Sequence, residues 1–205
     1  MPRDKSENSK KIIAAAQSEF MKQGFESASM RSIASQVGMT VGALYRHFPN
    51  KEELFAALVE PAISELMELY EQFRDKEYEM LKTATLEQLW KESDSETKWL
   101  MRFIYDHLDA FKLLICRSQG TRYENFEHEL ALLEERSTLA YFDKMKEYGL
   151  EVTEIPREEF HILVTANVSS VFEAVKHGLS DKEAMHYADT LDAFFSAGWK
   201  KILGI

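Results

Sequence analysis

Apolar residues recur at every third or fourth position along most of this chain, which is the spacing of an amphipathic α-helix. Near the N-terminus, Ile12, Ala16 and Phe20 lie four apart, and Gly24 follows as a predicted helix stop. No run of β-branched residues alternates with polar ones as a half-buried strand would. The pattern therefore predicts an all-α protein of about nine helices.

Capping residues mark where several of these helices begin. Ser29 and Thr40 each precede an apolar helical pattern, and Ser180 is followed three residues later by Glu183, which predicts a capping box. A short segment near 86–91 is either a separate helix or part of the one that follows. The predicted helices cover 9–23, 29–37, 40–48, 50–80, 86–91, 95 to about 104, 109–120, 122–148, 156–177 and 180–203.

The most distinctive pattern lies within residues 29–55, where two short helices are joined by a tight turn. Gly38 ends the first helix and Thr40 caps the second, on which Leu44 and Phe48 lie four apart and face inward. The outward face of this second helix carries Val41, Gly42, Tyr45 and Arg46. A face that mixes small residues with an aromatic ring and a cation suits the DNA major groove, which admits one α-helix. The pattern predicts a helix-turn-helix.

The net charge of −10 alone argues against a nucleic-acid partner, but the charges are unevenly distributed. Residues 1–50 hold seven Lys and Arg against four Asp and Glu, a net charge of +3, which leaves −13 on residues 51–205. A basic end on an acidic body directs a polyanion to one face, although ordinary variation in surface charge is the alternative explanation.

The single cysteine, Cys116, excludes an internal disulfide framework and fits a reducing compartment. Its apolar helical surroundings predict a buried small side chain rather than a reactive thiol. No apolar run reaches the ~18–20 residues needed to span a membrane, and the polar N-terminus lacks the apolar stretch of a signal peptide. We therefore expect a cytoplasmic protein with no membrane contact.

The last two predicted helices are apolar on more than one face, whereas a surface helix normally needs a single apolar stripe. Besides its main stripe, the final helix has a second one formed by Tyr187, Phe194 and Gly198. Two stripes predict two burial partners, the protein's own core and a second subunit, although full burial within one chain is the alternative. The residues assigned to a dimer interface are Val168, Val171, Val175, Leu191, Phe195 and Trp199.

The first quarter of the chain resembles the TetR-type (tetracycline-repressor-like) transcriptional regulators. The resemblance is carried by GF at 24–25, SMRSIA at 29–34, VG at 37–38 and GALYRHFPNKEELF at 42–55. The remaining three quarters match only in length, in their all-helical pattern and in the amphipathic final helix pair.

The resemblance implies a DNA-binding helix-turn-helix domain at 1–52 and a ligand-binding and dimerisation domain at 53–205. It also implies a homodimer on a palindromic operator of double-stranded DNA, and an unknown small molecule that moves the fourth helix and releases the DNA. Pro61 lies inside this helix and predicts a kink, which is either a harmless bend or a hinge. Repression is favoured, because a dimer on a promoter blocks polymerase by occupancy alone. The alternative is a regulator without a small-molecule effector, constitutive or controlled by a protein partner.

The same resemblance assigns phosphate contacts to Thr40, Tyr45, His47 and Lys51. For Tyr45 the alternative is packing between helices, and for His47 it is a solvated or capping role. Base reading is predicted for Arg31, Val41, Gly42, Ala43 and Arg46. The reasons are chemical, because apolar groups contact the thymine methyl and arginine pairs with guanine. Gly42 weakens a helix by ~1 kcal/mol relative to alanine, so we expect the backbone there to approach DNA closely.

The ligand site is predicted less directly. Aromatic and polar residues on the central helices that suit an apolar pocket are Trp99, Phe103, His107, Phe111, Tyr123 and Phe126. Plain core packing is the alternative for each of them. The possible polar anchors are Arg102, Asp106, Arg117 and Arg122.

Other classes of function find little support. The chain has no Gly-rich phosphate loop, no G-x-S-x-G and no H-E-x-x-H, and its six histidines lack metal-ligand spacing. We therefore predict no catalytic residues, no metal site and no cofactor. A purely structural helical dimer is a further alternative, which tight, salt-sensitive and sequence-dependent DNA binding would exclude.

Overall fold

The computed structural model describes residues 5–85, 88–89, 96–150 and 152–204. Within these ranges the chain forms nine α-helices and no strand, as the periodicity predicts. The helices are α1 (Lys5–Ser27), α2 (Met30–Gln36), α3 (Val41–His47), α4 (Lys51–Met80), α5 (Glu96–Asp106), α6 (Leu108–Cys116), α7 (Phe126–Glu147), α8 (Arg157–Lys176) and α9 (Asp181–Leu203).

The chain divides into two compact units. The first unit consists of Met1–Glu65 and His107–Glu124, and the second unit consists of Leu66–Asp106 and Asn125–Ile205. The first unit thus continues beyond residue 52 and takes in a segment from the middle of the sequence. The domain boundary between residues 52 and 53 stays a prediction.

The turn between α2 and α3 depends on one glycine. Gly38 has φ of 66°, a left-handed conformation that side chains disfavour. Its N–H donates to the Ser35 carbonyl at 3.1 Å, while the Met39 N–H donates to the Ala34 carbonyl at 2.9 Å. This pair of bonds is a Schellman motif, which satisfies the last carbonyls of α2 and turns the chain toward α3.

Three aromatic rings form the centre of the first unit. Phe55 lies edge-on to Phe20 and to Phe25, with ring centroids 5.3 and 5.5 Å apart, and the Tyr123 ring lies 6.0 Å from Phe55. Phe20 and Phe55 are fully buried, and each such side chain stabilises the fold by about 1.5–3 kcal/mol. Phe25 is also buried in this core.

Polar contacts fix α5, α8 and α9 within the second unit. The Arg102 guanidinium lies 2.5 Å from the Asp181 carboxylate, and Lys98 pairs with Asp189. The hydroxyl of Tyr105 donates to the Leu179 carbonyl at 2.9 Å, beyond the end of α8. The predicted capping box at the start of α9 is confirmed, since the Ser180 and Glu183 side chains and backbones bond reciprocally.

Several local predictions need correction or lie outside the described residues. Cys116 is exposed at the end of α6, so the prediction of a buried small side chain is wrong. The helix expected from residue 122 begins at Phe126, because Thr121 to Asn125 form turns. Pro61 lies inside α4, and the kink predicted there stays a prediction. Most of the helix predicted near 86–91, and the predicted start of the next helix at residue 95, lie outside the described residues.

Candidate nucleic-acid interface

α3 is anchored by a single buried side chain. Its N-cap is Thr40, whose hydroxyl accepts a hydrogen bond from the Ala43 N–H at 3.1 Å. Leu44 is the one buried residue in this helix, at 0% exposure. Around this anchor the exposed residues are Thr40, Gly42, Tyr45 and Arg46. α3 therefore presents most of its surface to solvent, as a helix that enters a DNA groove must.

A buried carboxylate sets the position of α2. Glu19, on α1 and only 8% exposed, accepts hydrogen bonds from the Ser29 N–H at 3.2 Å and the Ser32 hydroxyl at 2.8 Å. Gln36 donates a further bond to it at 3.2 Å. Because helix N-termini attract negative charge, this carboxylate both caps and orients α2. Sequence analysis missed Glu19, although an acid beside the apolar stripe of α1 is the signal that could have found it.

Lys51 is engaged with the backbone rather than open to solvent. Its ammonium donates to the carbonyls of Phe25, Glu26 and Ala28 at 2.6, 3.0 and 3.2 Å, and lies 4.4 Å from the centre of the Phe25 ring. Burial lowers the pKa of Lys51, and the nearby Glu26 carboxylate offsets this in part. An ammonium whose three N–H groups are used in this way has none left for a phosphate.

The other predicted DNA-binding residues keep accessible surface. Arg31, Thr40, Gly42, Tyr45 and Arg46 are exposed, and Val41, Ala43 and His47 are half-buried. Tyr45 is 46% exposed, so packing between helices does not cover its ring. This accessibility permits the predicted contacts, which stay predictions.

The segment 117–124 braces the first unit from a distant part of the sequence. The Phe25 N–H donates to the Arg117 carbonyl at 3.0 Å. The Arg122 guanidinium donates to Glu53 at 3.0 Å and to Glu60 at 2.7 Å, both on α4. Single exposed ion pairs contribute little, but one arginine that joins two carboxylates about two helical turns apart restricts the geometry more.

Tyr123 completes this brace. Its hydroxyl donates to the Glu60 carboxylate at 2.7 Å. Burial, together with this bond, raises the pKa of Tyr123 to about 12. Hydrogen bonds from Tyr123 and Arg122 lower the pKa of Glu60. The group therefore keeps its hydrogen bonds throughout the neutral pH range.

The second unit contains a cavity of about 330 Å³. Aromatic side chains supply much of its wall: Tyr70, Phe73, Trp99, Tyr141, Phe142, Phe160, Phe195 and Trp199. Phe73 meets Trp99 edge-on at 4.6 Å, and Phe160 meets Trp199 at 5.7 Å. Its volume and its apolar wall are typical of small-molecule sites.

Several ionisable groups also line this cavity, most of them acidic. The carboxyl groups are those of Glu77, Glu96, Glu134 and Asp192. Glu134 accepts hydrogen bonds from the hydroxyls of Tyr70 at 2.9 Å and Thr138 at 3.3 Å. Among the described residues, no group of three His, Cys, Asp or Glu is arranged to hold a metal ion.

Comparison with known proteins identifies the first unit. Residues 12–58 match the family described as bacterial regulatory proteins, tetR family. The chain belongs to the TetR family. An HTH-type transcriptional regulator of Staphylococcus aureus (strain USA300) is 24% identical over 156 residues, which span 69% of this TetR-family chain and 84% of that relative.

Solved structures of TetR-family regulators share the fold. PfmR of Thermus thermophilus superposes with a TM-score of 0.58 at 18% identity, covering 91% of this chain and 97% of its own. NalD of Pseudomonas aeruginosa superposes with a TM-score of 0.53 at 18% identity, covering 92% of this chain and 95% of its own. NalD is the secondary repressor of the MexAB-OprM multidrug efflux pump.

This TetR-family protein is a DNA-binding transcriptional regulator with a helix-turn-helix, and its family and fold are those of regulators rather than enzymes. The helix-turn-helix predicted from residues 29–55 is formed by α2 and α3. In the part of the chain that the structure describes, no helix has the length and apolar content needed to cross a bilayer.

The residues predicted to line a ligand pocket in this TetR-family chain are mostly elsewhere. Only Trp99 lines the cavity. Phe103 is buried and stacks on Trp99 at 5.8 Å without reaching the cavity wall, and Phe126 packs edge-on against Phe172. The other three belong to the first unit: His107, Phe111 and Tyr123. Apolar periodicity identifies buried helix faces but does not tell a cavity wall from solid core.

The predicted polar anchors are also engaged elsewhere. Arg102 pairs with Asp181 on α9, and Arg122 with Glu53 and Glu60 on α4. Asp106 ends α5 outside the cavity wall, and Arg117 follows α6 in the first unit.

The six residues predicted for a dimer interface lie inside the subunit. Val168, Val171, Val175 and Leu191 are buried, and Phe195 and Trp199 are half-buried in the cavity wall. The residues of α8 and α9 that face outward are different, and they include Phe194 at 72% exposure and Ile162 at 64%. Phe194 belongs to the second apolar stripe that the sequence shows on the last helix.

We expect replacement of Lys51 by methionine to lower the free energy of unfolding. Its effect on the charge-dependent part of DNA binding should be smaller. The variant keeps the apolar stem but leaves three carbonyls to be satisfied by water, at a cost of about 1–2 kcal/mol. Thermal unfolding measures this loss, and Lys22→Met, an exposed lysine on α1, is the matched control. Unchanged stability, with a slope of log affinity against log salt reduced by about one, would restore Lys51 as a phosphate contact.

Proposed function

We propose that this chain is a ligand-responsive repressor that acts as a homodimer on a palindromic operator. One observation carries the proposal: the same chain has an exposed recognition helix in one unit and an aromatic cavity in the other. α3 is open to solvent around a single buried anchor, Leu44, as DNA readers require. The second unit supplies a cavity of about 330 Å³. NalD, which shares the fold, bears the description of a repressor.

One helix contributes to both parts. α4 begins at Lys51, whose ammonium binds the end of α1, and it carries Tyr70, Phe73 and Glu77 in the cavity wall. A molecule that binds the cavity and shifts α4 would therefore act directly on a helix of the DNA-binding unit. A ligand changes an equilibrium only by its differential affinity for the two states, so the proposed effector must prefer a position of α4 that does not fit the operator.

The dimer is proposed through the outward face of α8 and α9. This face consists of Ile162, Ala166, Ala193, Phe194, Ala197 and Gly198, all exposed. Small residues allow helices to approach closely, and the exposed apolar side chains of Ile162 and Phe194 favour association. A two-fold dimer would present two copies of α3 to two half-sites, which is why a palindrome is expected.

Selection of bound duplexes from a random DNA pool tests this function. We expect enrichment of an inverted repeat, two subunits for each bound site, and release of the site by a compound that also raises the melting temperature. A pool that remains random after selection would refute the operator. A selected site that no compound from a metabolite and drug library releases would favour a regulator without a small-molecule effector.

Replacement of Gly42 by alanine distinguishes the stability of α3 from its fit to DNA. Among the described residues, no atom beyond the neighbouring backbone lies within 4 Å of a Cβ added at Gly42, so the protein itself has room for a methyl group. We expect Gly42→Ala to stabilise α3 by about 1 kcal/mol and to weaken operator binding about tenfold, because the methyl group meets DNA. Thermal unfolding and a gel-shift titration measure the two effects. Equal or tighter binding would show that the backbone does not approach the operator at this position.

A further inference from the structure

The cavity of the second unit has an unusual balance of charge. Four carboxyl groups line it, those of Glu77, Glu96, Glu134 and Asp192, whereas Arg74 is the one cationic side chain among the described lining residues. Arg74 already lies 3.4 Å from Asp75 on the outer side of α4. An apolar wall is a costly place for a carboxylate unless a positive charge or several hydrogen bonds compensate for it.

Glu134 is the most enclosed of these acids. It lines the cavity and accepts bonds from the neutral hydroxyls of Tyr70 and Thr138. Burial raises the pKa of Glu134. These two hydroxyl groups carry no charge. A cation that enters the cavity would supply the positive charge that compensates the Glu134 carboxylate.

Glu77 and Glu96 strengthen this acidic character from two other helices. Glu77 is on α4 and Glu96 opens α5, and their carboxyl groups are hydrogen-bonded to each other. Burial and the negative charges of the neighbouring acids, Glu134 among them, raise the pKa of both groups. Glu96 keeps surface exposed to solvent, so it marks the accessible side of the acidic group. A cation bound beside these two carboxyl groups would favour their ionised forms.

The rest of the wall suits the body of an organic cation. Its lining includes two edge-on ring pairs, Phe73 with Trp99 and Phe160 with Trp199. Aromatic rings attract cations by about 0.5–2 kcal/mol each, and most strongly where water is excluded. A hydrated inorganic ion would gain little from these rings, whereas a bulky onium or protonated amine contacts rings and carboxylates together.

We propose that the cavity of the second unit binds a lipophilic organic cation, with Glu134 and Glu77 facing its positive charge and the aromatic wall enclosing its apolar groups. This inference rests on the proposed function, because it names the chemical class of the effector that the function requires.

Two ligands of equal shape and opposite charge provide the test. Tetraphenylphosphonium and tetraphenylborate differ in the sign of one central charge, and each is titrated into the full-length protein by calorimetry. We expect the phosphonium to bind at least about tenfold more tightly than the borate. Equal affinities, preference for the borate, or no binding of the phosphonium would overturn the proposal.

Variants that each remove one carboxylate test where in the cavity the cation binds. Glu134→Gln and Glu77→Gln should each weaken phosphonium binding about tenfold and leave borate binding unchanged or stronger. Glu71→Gln, an exposed acid on α4 outside the cavity wall, is the matched control and should have no effect. Because Glu134→Gln removes a costly buried charge, we expect it to fold, and Glu77→Gln gives the same answer if it does not. Undiminished phosphonium binding in both variants would contradict the assignment.

The pH dependence gives an independent readout, because the phosphonium carries no titratable proton. The ionisable groups that line the cavity together with Glu134 are Tyr70, Arg74, Glu77, Glu96, Tyr141 and Asp192. A carboxyl group whose pKa is raised is still partly protonated above its ordinary value of 4.5, and a cation prefers the ionised form. Phosphonium affinity should therefore rise as the pH increases above the ordinary carboxyl pKa of 4.5, and rise less in Glu134→Gln. A flat profile in the unmodified protein would count against the proposal.

A parallel operator titration keeps this inference distinct from the proposed function. If the phosphonium binds with the expected selectivity but the operator stays bound, the cation site stands and the effector role fails. If an uncharged or anionic compound releases the operator while the phosphonium does not bind, the effector role stands and the cation site fails.

Discussion

Replacing Leu44 by alanine is expected to abolish operator binding while the second unit stays folded. Leu44 is the only buried side chain among the seven residues of α3, and its removal leaves a cavity that costs about 2–5 kcal/mol. A helix of seven residues has no stability of its own in water, so α3 depends on this contact for its position. This loss of stability is comparable to the whole free energy of unfolding of a small domain.

Gel-shift titration and thermal unfolding measure the two consequences. The first unit should melt early, with most of the helical signal retained up to the transition of the second unit. Leu44→Met is the matched control, because a volume-conserving substitution costs less than about 1.5 kcal/mol and should preserve binding. Wild-type operator affinity in Leu44→Ala would show that α3 is held by contacts other than this anchor.

Replacing Phe194 by glutamate is expected to separate the proposed dimer and to lower operator affinity by about 100-fold or more. Phe194 is 72% exposed in the single subunit, so a charge there costs the fold of one chain little. In a two-fold interface the same position would bury two carboxylates in an apolar patch, which is strongly unfavourable. Each separated subunit would then bind one half-site without the gain in effective concentration that a linked second head provides.

Sedimentation equilibrium measures the subunit association, and titrations of full and half operators measure its effect on binding. Half-site affinity should not change, which distinguishes a lost dimer from a damaged head. Lys182→Glu, also an exposed residue of α9, is the control and should remain dimeric. A dimeric Phe194→Glu protein with full affinity would place the interface elsewhere.

Local rules were sufficient for the helix-turn-helix and for the capped helix starts at Ser29, Thr40 and Ser180. Ser29, Gly38 and Thr40 act through residues no more than five positions away in sequence, so their roles in α2 and α3 are visible in the sequence itself. Leu44 was recognisable as inward-facing because its helix carries few apolar residues that could serve as alternatives.

The cavity was not predictable in the same way, because it depends on which helix faces meet. His107, Phe111 and Tyr123 lie on helical or turn segments with the same apolar character as the cavity wall, yet they belong to the first unit. Two apolar stripes in the sequence each contain an acid, and this is a signal of the cavity. One joins Leu66, Tyr70, Phe73 and Glu77, and the other joins Leu130, Glu134 and Tyr141. An acid in such a stripe predicts either a buried polar contact or a ligand.

The dimer residues illustrate a different difficulty. The last two helices have two apolar stripes, and periodicity alone does not say which one faces the subunit's own core. Val171 and Leu191 proved to be buried, while the neighbouring stripe with Phe194 is open.

The brace formed by residues 117–124 has a consequence for building chimaeric regulators. A head excised at residue 58 would lose the carbonyl that accepts from Phe25 and the Tyr123 ring that covers one side of Phe55. Transplanting the operator specificity of this protein onto a foreign effector module therefore requires two pieces of sequence to travel together, the N-terminal stretch and this interior loop.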